Sequence, residues 1–73
     1  MRFEFEIVKP LCVISEREGW TKEMNLVSWN HREPKLDIRE WNSDHSKMTK
    51  GITFTEEEAT NLYMALHNFV TGV

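Results

Sequence analysis

The chain has 73 residues, with nine basic and 12 acidic side chains, a net charge of −3 and one cysteine. That length makes one domain, which buries only about 60% of the surface its unfolded chain exposes, and a lone core of this size supplies roughly 3–5 kcal/mol. One cysteine excludes an intrachain disulfide, and Cys12, His31, His45 and His67 are too scattered for a structural zinc site, so a partner subunit is the expected staple.

In chain order, Phe3, Phe5 and Ile7 alternate with Arg2, Glu4, Glu6 and Val8, the period of two that marks a half-buried strand. Pro10 interrupts it, and Leu11-Cys12-Val13-Ile14-Ser15 continues as an extended apolar segment in which Cys12 reads as a buried thiol. Glu16-Arg17-Glu18-Gly19 is a polar turn. Lys22 to Asn30 forms the second strand, and its parity is open. Val27 with Trp29 and Met24 with Leu26 compete for the core, and a slip of one residue swaps them. Asn30-His31-Arg32-Glu33-Pro34 is a turn.

Lys35 to Trp41 is the cleanest strand, with Lys35, Asp37, Arg39 and Trp41 on one side and Leu36, Ile38 and Glu40 on the other. Asn42 to Lys50 is a polar loop, and Gly51-Ile52-Thr53-Phe54 is a short last strand. Thr55 with Glu58 spells a capping box, and Glu56 to Glu58 complement the positive end of a helix dipole. Ala59, Leu62, Tyr63, Leu66, Phe69 and Val70 recur at helical spacing, and Gly72 ends the helix. The pattern predicts a single α+β domain over residues 1–73, four strands followed by one C-terminal helix.

The first residues alternate charged and apolar with no apolar run behind them, so no signal peptide is expected. The apolar runs fall short of the about 20 residues a membrane helix needs. A lone cysteine suits a reducing cytosol, which makes a cytoplasmic protein the expectation. Catalysis finds no foothold. None of the three histidines is paired with a nucleophile and all read as surface residues, three scattered glycines build no phosphate loop, and the Glu triplet is a helix start. No enzyme activity, cofactor or metal is expected.

Charge is unevenly spread. Residues 22–50 carry six basic and five acidic side chains, whereas residues 51–73 carry three acids and no Lys or Arg. The mildly basic middle contains the Lys35–Arg39–Trp41 face. Lysine and arginine neutralise phosphates and release counterions. An indole offers a flat surface for an unpaired base, worth ~1–3 kcal/mol per stacked base, which the already stacked bases of a duplex cannot use. From pattern alone, Trp20 and Trp29 read as core or dimer-interface rings, whereas the charged strand neighbours of Trp41 on its face favour an open ring. Asp37, between the two cations, reads as a partner in a strand-face salt bridge. Lys47 and Lys50 flank Met48 in the loop, which is either a mobile cover for a bound strand or a solvated hairpin tip.

Asp37-Ile38-Arg39-Glu40-Trp41, an eight-residue loop, and Lys50-Gly51-Ile52-Thr53-Phe54-Thr55 before an acidic helix start resemble the transcriptional positive cofactor 4 family. Gly19-Trp20, Lys22-Glu23, Val27-Ser28-Trp29-Asn30 and Glu33-Pro34-Lys35 are closer still to its bacterial YdbC-like branch. The resemblance runs from about residue 3 to residue 70. It implies a strongly curved four-stranded antiparallel sheet with one helix behind it, and a homodimer whose helices contribute to the interface. It implies that Arg39 and Trp41 line a channel for single-stranded DNA, and that Lys35 and Lys50 contact phosphates. Lys22, Asn25, Trp29, Lys47 and Met48 are weaker transfers. The chain lacks the Ser/Lys-rich N-terminal region of the eukaryotic members, and its 30–34 turn has fewer lysines. The expected function is sequence-tolerant binding of single-stranded DNA in transcription, replication or repair. A protein-interaction module on transcription machinery and an RNA-binding protein are the alternatives.

Overall fold

The computed structural model describes residues 4–72. Arg2 and Phe3, at the start of the predicted first strand, lie outside the described residues. Four strands, β1 (Phe5–Arg17), β2 (Trp20–Trp29), β3 (Lys35–Asn42) and β4 (Ile52–Phe54), precede one helix, α1 (Glu56–Thr71). The strands pair antiparallel in sequence order, so each connection is a local hairpin.

The interruption expected at Pro10 is one of register and not of the strand itself. β1 runs through the proline as one strand of 13 residues. It can do so because β1 is an edge strand whose pairing slips on both sides of Pro10, the settings in which a strand tolerates a missing N–H. The pairing with β2 slips between Ile7 and Lys9, between Pro10 and Cys12, and between Val13 and Ser15. β1 returns into β2 through Glu18 and Gly19, whose φ angles of 45° and 82° give the two-residue turn that matches strand twist.

The β2–β3 register resolves the parity of the second strand. Thr21 faces Trp41, Glu23 faces Arg39, Asn25 faces Asp37 and Val27 faces Lys35. Directly opposed residues share a face, so these eight belong together. Phe5, opposite Trp29, joins the same face. Met24, Leu26, Leu36, Ile38 and Phe54 occupy the other face. There α1 begins, and a cleft lined by Leu26, Leu36, Phe54 and Ala59 separates helix from sheet.

The helix forms for local reasons. Glu58 N–H donates to Thr55 Oγ1 at 3.1 Å, and Thr55 N–H donates to Glu58 Oε1 at 2.8 Å. Gly72, with φ 76°, closes the end by donating its N–H to Asn68 O at 2.9 Å. Its apolar stripe, however, covers little of the sheet. Ala59 and Leu62 are half-buried, but no helix residue is fully buried. Phe69 is 83% exposed and Val70 78%. Leu11, Val13 and Ile14 of β1 are also exposed, and so is Cys12. The buried thiol expected from its apolar neighbours is therefore not found, because among the described elements only the neighbouring strand β2 contacts that part of β1. No described helix is long and apolar enough to cross a membrane.

Candidate nucleic-acid interface

The fully or nearly buried side chains gather on the sheet face turned away from the helix. They are Val27 and Trp41 with three polar partners, Glu23, Asn25 and Asp37. Among the described residues no second layer covers this face, so the side chains bury one another. Phe5 lies 5.1 Å from the Trp41 ring and 5.8 Å from Trp29, and His45 lies 5.4 Å from Trp41 on the loop side, measured between ring centres. The result is an aromatic row across three strands and a loop.

Two polar clusters are set into this row. In the first, Arg39 donates through Nε to Asp37 Oδ1 at 2.8 Å and through Nη2 to Asp37 Oδ2 at 2.7 Å, the planar fork that guanidinium and carboxylate make best. The guanidinium carbon stands 4.4 Å from the Trp29 ring centre, a cation–π contact. Nη1 reaches Thr49 O at 3.4 Å and Met48 Sδ at 3.6 Å. In the second, the Glu23 carboxylate accepts from Thr21 Oγ1, from Asn25 Nδ2 at 3.1 Å and from His45 Nε2 at 3.0 Å. Burial pushes the Glu23 carboxyl up, but these hydrogen bonds and the attraction of a charged His45 outweigh it and hold the group below the ordinary glutamate range.

The 43–50 loop is a built structure. Asn42 accepts His45 N–H through its carbonyl at 3.1 Å and Lys47 N–H through Oδ1 at 2.9 Å. Asp44 Oδ1 accepts Ser46 N–H at 3.0 Å, and the hydrogen bonds from Ser46 keep the exposed Asp44 carboxyl below its usual range. Met48 pairs with Trp41 across an isolated bridge. His45, expected at the surface, is half-buried and ties this loop to β2.

The structure brings Trp29, Lys35, Arg39, Trp41 and Met48 onto one face with Asn25. Trp41 is 0% exposed and Asn25 1%, so Trp41 is a buried ring and Asn25 is occupied by Glu23. Lys35, Lys47 and Lys50 are exposed. Lys22 stands opposite Glu40 on the helix side of the sheet and is not part of the face. Pattern reading missed Phe5, Thr21, Glu23, His45 and Gly51. The signal for Glu23 was its spacing of two from Asn25, which carries meaning only once the parity of β2 is known.

Family comparison places this arrangement. The family model described as Transcriptional Coactivator p15 (PC4) matches residues 16–65. The chain belongs to this family. The match holds β2, β3, β4, the loop between the last two and the first part of α1, so both polar clusters and Lys35, Lys47 and Lys50 fall inside it. A Treponema pallidum (strain Nichols) protein described only as "Uncharacterized protein" is 41% identical over 61 residues, covering 82% of this chain and 72% of that protein.

Proposed function

We propose that the chain binds single-stranded DNA with little regard to sequence, as a homodimer, and serves transcription or DNA replication and repair without making or breaking a bond. The observation that carries this reading is one face of the sheet, in a chain of the coactivator family, that joins an aromatic row to the exposed Lys35, with the exposed Lys47 and Lys50 on the adjoining loop. Lys35, Lys47 and Lys50 supply charge for phosphates, and Phe5 and Trp29, both half-buried, are the rings nearest to bases.

The helix supports the dimer. Tyr63, Leu66, Phe69 and Val70 form an apolar stripe that the chain leaves in water, and burial of such a stripe is the stabilising force that a domain of this size lacks alone. The three register slips in β1 support strong sheet curvature, because bulges bend the strand that carries them.

A fluorescence titration with an oligo-dT strand and with the corresponding duplex tests the function. Binding of the single strand that falls steeply with salt and exceeds binding of the duplex is the expected result. Equal affinity for both, or no binding at low salt, contradicts it. An RNA strand of the same base sequence, run in parallel, reads how far the site tolerates the 2′-hydroxyl.

A further inference from the structure

Arg39 is the strongest cation of the face by position, and its geometry is unlike that of a phosphate contact. Its side chain is only 13% exposed, and that of Asp37 is 0% exposed. A guanidinium has five N–H donors. Two go to the Asp37 carboxylate, and Nη1 is directed at Thr49 O and Met48 Sδ. The Trp29 ring lies along the guanidinium. Gly51 presses on the stem of the side chain. A Cβ at Gly51 would come within 2.4 Å of Arg39 Cβ and 2.9 Å of Nε. The positive charge is thus matched by a buried negative one and enclosed on several sides.

Binding a phosphate through the Nε and Nη2 fork would require Arg39 to leave Asp37, which would strand a buried carboxylate away from water. A neutral pair also releases few counterions, since counterion release follows the net charge placed against the strand. By contrast, none of Lys35, Lys47 and Lys50 is paired with a carboxylate among the described residues.

We propose that Asp37 and Arg39 form a neutral brace that positions the Trp29 ring and the 48–51 segment, and that the exposed lysines of β3 and the loop, not Arg39, neutralise the phosphates of the strand. Arg39 is then a positioning residue. The proposal rests on the single-strand binding argued above, and it assigns the roles within that site.

The experiment is anisotropy of a labelled oligo-dT strand at a series of salt concentrations, with fold checked by an amide correlation spectrum. Arg39→Gln alone leaves Asp37 buried without its partner and weakens binding. Adding Asp37→Asn restores an uncharged pair of similar shape. The double variant is expected to bind within about twofold of wild type with an unchanged salt slope, because no phosphate charge has been removed. Lys50→Gln, as the contrast, is expected to lower the slope by about 0.7 per chain engaged. Arg39→Lys keeps the charge but not the planar fork, and is expected to bind about tenfold more weakly. It decides the matter if the double variant does not fold.

A double variant whose slope falls by about 0.7, or an Arg39→Lys variant that binds as wild type, overturns the brace and leaves the binding function standing. A wild-type chain that binds no strand rejects both.

Discussion

Gly51 shows how a single position joins strand to site. A Cβ there would meet Ile38 O at 2.5 Å and Arg39 Cβ at 2.4 Å, and a backbone carbonyl cannot move aside without opening the β3–β4 pairing. Gly51→Ala is therefore expected to cost about 1–3 kcal/mol, as overpacking does, read as a fall in the denaturant midpoint. A midpoint unchanged from wild type contradicts the close approach. Glu23 gives a second residue-scale expectation. Its folded pKa is depressed, so it contributes stability above the ordinary glutamate range and loses that contribution as pH falls through its folded value. The melting temperature of wild type should drop on acidification below that range, and a Glu23→Gln variant should drop less. Identical acid limbs would show that the Thr21, Asn25 and His45 bonds do not stabilise the carboxylate.

Residue by residue, the sequence was most legible where chemistry is local. The Asp37–Arg39 pair could be read from a spacing of two on one strand face. Trp41 was harder. Its charged neighbours on that face suggested an open ring, yet Asp37 and Arg39 satisfy each other, and Phe5 arrives from two strands away while His45 folds back from the loop. Burial that depends on such distant partners leaves no local pattern.

At the scale of elements, the cap and the hairpins came directly from sequence. Thr55→Ala removes the side-chain acceptor for Glu58 N–H and is expected to cost about 1 kcal/mol. In a domain of this size that is a fall of roughly 4–8 °C in melting temperature. No change in melting temperature would mean that the cap is idle. At Pro10 the sequence marked the interruption and the extended continuation, but not that both halves pair with β2 as one strand, because a proline says nothing about whether its strand lies at an edge. Strand β2 was ambiguous for a related reason. Met24, Leu26, Val27 and Trp29 offer apolar residues of both parities, and only the pairing with β3 decides between them.

For the whole molecule, the apolar helix stripe was legible as amphipathic periodicity, but periodicity does not say what the stripe packs against. The chain leaves Phe69 and Val70 more than three-quarters exposed. The homodimer proposed here predicts that light scattering at micromolar concentration gives the mass of two chains, and that Phe69→Glu gives the mass of one. A wild-type monomer contradicts the dimer and leaves the exposed β1 and helix residues without a cover. Cys12 belongs to the same scale, since its exposure on β1 reflects what one chain alone can bury.

The division of the molecule into a binding face and a helix face is the central claim, and an amide chemical-shift map with a short oligo-dT strand tests it most directly. Shifts should concentrate on Phe5, on Trp29 with its indole N–H, and on residues 35–51. The Tyr63–Val70 stretch should stay unmoved. Shifts centred on the helix, or spread over both sides of the sheet, would contradict the assignment of the strand to this face.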